Sequence, residues 1–221
     1  LRLVHSRNLI LDYASENNIK LIIALDCGIK AVEKVAYASA KGIDFIICDH
    51  HRPGSEIPAA IAILDPKRGD CPYPYKELSG CGIGFKLIQA YAQINNISFE
   101  NLIQYLDLVV ISIASDIVDI TGENRILAHF GLKLINSKPR PGLEALLRYS
   151  SMMKNDDGLG GNVFIRELTI TDLVFMIGPR INAAGRIESG KNSVRLLITT
   201  NLEEAKLVAE QINAYNTERR T

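Results

Sequence analysis

Four stretches of the chain gather residue types that could do chemistry. Asp26 closes an apolar run at residues 20–25, and Asp49-His50-His51 close a second run at 43–48. Carboxylate oxygens mixed with imidazole nitrogens suit Mn2+ or Mg2+ better than a thiolate-bound zinc. Adjacent histidines say less than they suggest, because side chains alternate faces along a strand and one ring is often merely packed. Beyond a strand end that alternation lapses, and two imidazoles can serve one centre in different roles. A third acidic group, Asp116 and Asp119, follows an apolar helical stretch. A carboxylate buried there needs a cation or hydrogen bonds in compensation, so Asp116 is either a ligand or a helix cap or arginine partner. The last stretch is Gly178-Pro179-Arg180-Ile181-Asn182-Ala183-Ala184-Gly185-Arg186. Its small residues let a backbone approach closely, and the forks of Arg180 and Arg186, with the amide of Asn182, match phosphate oxygens. The same arginines could instead pair with acidic residues elsewhere in the fold.

The elements that must position these residues are legible in outline. Residues 20–25 and 43–48 are short apolar runs of the kind buried parallel strands show. Between them a helix is expected over 30–41, with Val32, Val35 and Ala36 on one face and Gly42 as its stop. Strand, helix, strand is a right-handed βαβ unit, and a third strand is expected at 60–64, ending at Asp65. In a parallel sheet a ligand site lies beyond the carboxyl ends of the strands, so Asp26 and Asp49-His50-His51 face one crevice if their strands are neighbours. The proline-containing segment 65–76 predicts a rigid surface loop. Helices are expected at 82–95, 99–117, 123–136, 142–148, 171–177, 193–199 and 202–219. Thr169 or Thr171 would cap the fifth of these and Asn201 would open the last. A polar, glycine-rich connection is expected at 150–162 and a loop at 178–186. The fold class is α/β, a parallel-sheet domain followed by a helical subdomain.

Composition narrows the setting. The 221 residues are 47% hydrophobic and 23% charged, the balance of a globular chain. No apolar run approaches the ~20 residues of a membrane span and no signal pattern opens the chain, so a cytoplasmic protein without membrane contact is expected. The formal charge of zero argues against an all-over cationic coat. It is a sum of opposite halves, however: residues 1–120 hold 11 Lys and Arg against 14 Asp and Glu, and residues 121–221 hold 14 against 11. Cys27, Cys48, Cys71 and Cys81 form no CxxC pair and are expected as reduced structural cysteines.

Taken together and in order, these motifs resemble the DHH phosphoesterase superfamily and, within it, the RecJ-type single-strand DNA exonucleases. The resemblance rests on Leu25-Asp26-Cys27-Gly28, on Asp49-His50-His51, and on Asp65-Pro66-Lys67-Arg68 through Cys71-Pro72-Tyr73-Pro74 to Lys76-Glu77-Leu78. Gly82-Ile83-Gly84-Phe85-Lys86-Leu87, Ser115-Asp116-Ile117-Val118-Asp119 and the discriminating block 178–186 complete it. It implies a two-metal phosphodiesterase using Mn2+ or Mg2+. Asp26 would bridge the ions, His50 and Asp116 would hold the second, and Asp49 would orient the histidine ligand. His51 would face the scissile phosphate and stabilise its developing charge. Arg180, Asn182 and Arg186 would grip phosphates. The reaction implied is in-line attack of an activated water, degrading single-stranded DNA from the 5′ end in recombination and repair. A single-strand-binding protein and a helicase are the candidate protein partners.

The chain departs from the family pattern at both ends. No Asp-x-Asp precedes Asp26, where only Asp12 and His5 offer donors, and no glycine-rich histidine motif follows. The expectation is a fragment: an α/β DHH domain at 1–135 lacking its first-motif strand, a helical part with the phosphate-binding loop at 136–200, and the start of a connecting helix at 201–221. Such a fragment is expected to bind Mn2+ weakly at one site and to show little nuclease activity. The competing readings are a cyclic-dinucleotide, short-oligonucleotide or pyrophosphate hydrolase of the same superfamily, or a non-catalytic DHH module.

Overall fold

The computed structural model describes residues 8–149, 164–181 and 190–218. The expected connection at 150–162, together with Asn182 and Arg186, lies outside the described residues. Two compact units divide the chain, Leu1–Leu102 and Ile103–Thr221; the boundary expected at 135/136 falls within a helix, Gly122–Ser137.

The first unit runs α1 (Leu9–Glu16), β1 (Leu21–Leu25), α2 (Val32–Ala40), β2 (Asp44–Cys48), β3 (Ala62–Leu64) and α3 (Gly80–Ile94). Its sheet is parallel, in the order β1-β2-β3. Leu25 pairs with Cys48 and Cys48 with Leu64, so the carboxyl ends of all three strands are level. The ladder extends one residue further, the Asp26 amide donating to the Cys48 carbonyl at 2.8 Å and the Asp49 amide to that of Leu64 at 3.0 Å. Leu11 and Ala14 of α1, Val35 and Ala38 of α2, and Ala24, Ile43, Phe45 and Ile47 of the sheet region share one core. Each large side chain buried there contributes roughly 1.5–3 kcal/mol. One expectation is corrected: β1 is not buried on both faces. Among the described residues it has a strand neighbour on one side only, and Leu21, Ile23 and Leu25 stand 43%, 48% and 53% exposed.

A four-residue helix, α4 (Glu100–Ile103), leads into the second unit, which is helical. It contains α5 (Leu106–Asp116), α6 (Gly122–Ser137), α7 (Pro141–Leu147), α8 (Ile170–Asp172), α9 (Lys191–Ile198) and α10 (Leu202–Glu218). The single helix expected at 99–117 is thus two. At the break the Gln104 carbonyl accepts from Arg140 Nη2 at 3.2 Å, and the same guanidinium holds Asp107 through Nε and Nη2, both at 2.6 Å. α5 and α6 pack so closely that a Cβ on Gly131 would lie 2.4 Å from the Leu106 carbonyl oxygen. α8 opens on Thr169, whose amide and hydroxyl both donate to Asp172 Oδ2 at 2.8 and 2.9 Å. It continues as a π-helical stretch, Leu173–Ile177, and stays helical through 181 where a loop is expected. Asn201 opens α10, its Oδ1 accepting from the amides of Glu203 and Glu204. Among the described residues no helix is long and apolar enough to cross a membrane.

Candidate metal centre

The level strand ends bring the chemistry together. Asp26 follows β1 and His50 follows β2 by two residues, and His50 Nε2 lies 3.1 Å from Asp26 Oδ1. Asp26, His50 and His51 each offer a ligand atom within 4.8 Å of the others. The Asp26 carboxylate is half exposed, the His51 side chain more so, and His50 largely buried. One side of the group is therefore fixed by the fold while the other stays open to water and substrate. Two imidazoles and a carboxylate fit a divalent ion of the Mn2+ or Mg2+ kind.

The backbone accommodates this at a cost. Asp26 has φ +61, a left-handed conformation that disfavours an L residue. It turns the chain sharply at the strand end. α3 then approaches so closely that a Cβ on Gly80 would lie 2.1 Å from Asp26 Oδ1. Ser79 caps that helix by accepting from the Gly82 amide at 3.2 Å. Gly80 therefore holds the space the Asp26 side chain occupies, a role the sequence reading missed. Its signal was available in the small-residue run Ser79-Gly80-Cys81-Gly82 at a helix start.

Asp49 stands apart from the three. It is 1% exposed, and its carboxylate accepts from the Ile29 amide (2.9 Å), the His50 amide (2.8 Å) and the His51 amide (3.2 Å). Burial pushes its pKa up, but the donors from Ile29 and His51 outweigh this and hold it below the usual carboxylate range. Asp49 Oδ1 also lies 2.7 Å from His51 Nδ1. A carboxylate can only accept, so Nδ1 carries the proton of that bond and Nε2 is left to ligate an ion through its lone pair or, as a second N–H, to donate to a phosphate oxygen. The ring that Asp49 orients is thus His51, whereas the family pattern assigns that service to His50. Burial, with Asp49's charge added, raises the Cys27 thiol pKa and pushes Cys48 up to about 11. All four cysteines are free, and those two are poor nucleophiles at neutral pH.

The remaining expected residues belong to the second unit. Asp116 is the last residue of α5, exposed rather than buried, and accepts from Ser112 Oγ at 3.2 Å. Arg180 sits on a helical turn with its guanidinium engaged internally. Nε donates to Asn213 Oδ1 at 3.2 Å, Nη1 to the Met176 carbonyl at 2.5 Å and Nη2 to the Tyr149 carbonyl at 3.2 Å.

The chain is similar to known proteins. The chain is 36% identical over 221 residues to the single-stranded-DNA-specific exonuclease RecJ of Escherichia coli (strain K12), covering 96% of this chain and 36% of that protein. It is 39% identical over 204 residues to the RecJ of Bacillus subtilis (strain 168), covering 92% and 24%. It therefore spans about a third or less of the length of these curated relatives. A crystal structure of RecJ in complex with Mn2+ from Thermus thermophilus superposes with a TM-score of 0.78 at 25% identity, covering 97% of this chain and 30% of that one. Residues 2–113, just over half the chain, match the DHH family, N-terminal domain. By that match the chain belongs to the DHH family.

Proposed function

We infer that the chain is the metal-binding segment of a nuclease that hydrolyses phosphodiester bonds of single-stranded DNA from the 5′ end, in recombination and repair, using Mn2+ or Mg2+. The convergence of Asp26, His50 and His51 at the carboxyl ends of β1 and β2 carries this reading. The RecJ relatives, and the Mn2+ bound in one of them, support the substrate and the metal. A divalent ion in such a site polarises a phosphoryl oxygen and makes water more acidic. The chain's own residues do the rest. Asp26 and His50 hold the ion, and Gly80 keeps the Asp26 carboxylate in place. Asp49 fixes the His51 ring so that Nε2 meets the scissile phosphate. In the same reading Asp26 bridges two ions, and Asp116 joins His50 on the second. Asn182 and Arg186 contact phosphates, and Arg180 does so only by exchanging one of its internal hydrogen bonds. A single-strand-binding protein and a helicase are the partners that this activity would call for, in the cytoplasm.

The segment alone is expected to bind Mn2+ weakly and to release little nucleotide, so the test is release of nucleotides from 5′-labelled single-stranded DNA, with Mn2+ present, by an intact nuclease that carries it, run beside a calorimetric Mn2+ titration. Asp26→Asn is expected to abolish both metal binding and release. His51→Ala is expected to lose turnover while keeping most of the metal affinity. Hydrolysis of pyrophosphate or a cyclic dinucleotide without strand degradation would overturn the substrate assignment.

A further inference from the structure

The first unit holds a second polar cavity, of about 540 Å3, that the hydrolytic reading leaves unused. Four cations line it, Arg52, Lys67, Arg68 and Lys76, against the single carboxylate of Glu77, with two prolines in the wall. Much of this charge is already positioned. Arg68 Nη1 donates to the Ile63 carbonyl at 3.0 Å, while its Nε and Nη2 hold Asp70 at 3.0 and 2.5 Å. Lys76 Nζ donates to the Cys71 carbonyl at 2.7 Å, and Lys67 Nζ lies 3.2 Å from Glu77 Oε2. Asp70 offsets Arg68 and Glu77 offsets Lys67. Lys76 meets only a carbonyl, and Arg52 is exposed without a carboxylate partner among the described residues. The wall itself carries a surplus of three positive charges, or two once Asp70, outside the wall, is set against Arg68.

Such a wall excludes an apolar or cationic ligand and selects a compact anion. Arginine forks together with a lysine point charge are the recognition set for phosphate, and cations already held in place lose little freedom on binding. The cavity's place in the fold narrows the ligand further. Arg52 directly follows His51, and Lys67 lies two residues beyond Asp65, so these two cations follow the carboxyl ends of β2 and β3, the end of the sheet at which Asp26, His50 and His51 meet.

We propose that this cavity binds a backbone phosphate of a single nucleic-acid strand, neighbouring the phosphate presented to the metal centre. The proposal rests on the hydrolytic reading for the identity of its ligand. Its test is fluorescence anisotropy of a labelled oligothymidylate with the whole chain in EDTA, so that no ion contributes, across a salt series. Arg52→Gln and Lys67→Gln are each expected to weaken binding about tenfold, the size of one charge-assisted hydrogen bond. Each should also lower the log–log salt slope by about 0.7, the value for one phosphate contact on a single strand. Circular dichroism melts of both variants are expected to match the parent.

Competition with thymidine 5′-monophosphate and with inorganic phosphate separates the sources of the anion. Both should displace the strand only at far higher concentration. If the variants lose mononucleotide but keep the strand, the cavity holds released product and the proposal falls. Unchanged strand affinity and salt slope in the double variant would also overturn it. The hydrolytic reading fails separately, on absence of nucleotide release with Mn2+ from an intact nuclease that carries this segment, while binding of the strand by the chain in EDTA still depends on Arg52 and Lys67.

Discussion

Asp26 combines a left-handed backbone with a side chain pressed against Gly80, and its position depends on that glycine having no Cβ. In Gly80→Ala the new methyl would overlap the carboxylate, and one of the two must move. Alanine suits the first turn of a helix better than glycine does, so the loss is expected at the site rather than in the helix. Calorimetry should show Mn2+ affinity at least about tenfold weaker, the low end for disturbing a ligand's support, with the circular dichroism spectrum unchanged. Unaltered Mn2+ affinity would show that Asp26 can shift without leaving the centre. Asp26, His50 and His51, which the fold brings together, were legible from type and spacing. Gly80 was not, because a glycine chosen for a close approach resembles any glycine until the approaching group is seen. The same holds for Asp49, whose partner could be either of two adjacent rings until the chain bends after β2.

At the scale of elements, two buried carboxylates tie the second unit together. Asp107 at the start of α5 is 3% exposed and holds Arg140 ahead of α7, and Arg140 Nη1 also donates to the Leu197 carbonyl at the end of α9. Arg140→Ala would leave the Asp107 charge buried and unpaired. Urea unfolding should show a loss of about 3–5 kcal/mol, and Asp107→Asn in the same background should recover part of it. Asp172, the last residue of α8, pairs with Arg166 at 2.7 Å, and that guanidinium holds its carboxyl at about 2. A carboxylate lowered in the folded state stabilises fully above its ordinary value near 4, and the contribution fades as pH falls towards 2. The urea midpoint of the parent should therefore drop over that window more steeply than that of Asp172→Asn; parallel curves would remove Asp172 from the acid transition. The helix at 99–117 shows where pattern reading stops. Its apolar periodicity runs through residue 104, but an arginine distant in sequence takes the carbonyl there and restarts the helix.

For the whole molecule, Asp26, His50 and His51 all lie within the first unit, so an ion that they hold should appear as stability of that unit. A ligand held by the folded chain alone at 100 times its Kd adds about 2.7 kcal/mol. For a chain of this size that raises Tm by about 5–10 °C. A circular dichroism melt with and without Mn2+ checks this, and the rise should vanish in Asp26→Asn and His50→Ala. A rise that survives both substitutions would place the ion elsewhere. The sequence by itself determined the α/β class, the strand-end positions of Asp26 and Asp49-His50-His51, and the donor chemistry, because apolar runs and residue types are local properties. Only the tertiary structure decided that the described residues leave one face of β1 exposed, that Asp49 serves His51, and that Asp116 is exposed. It alone showed that Arg180 spends its guanidinium inside the fold and that cations from separate loops share a cavity. Each of these depends on which groups meet across long sequence distances, and strand order, close approach and burial set that rather than residue type.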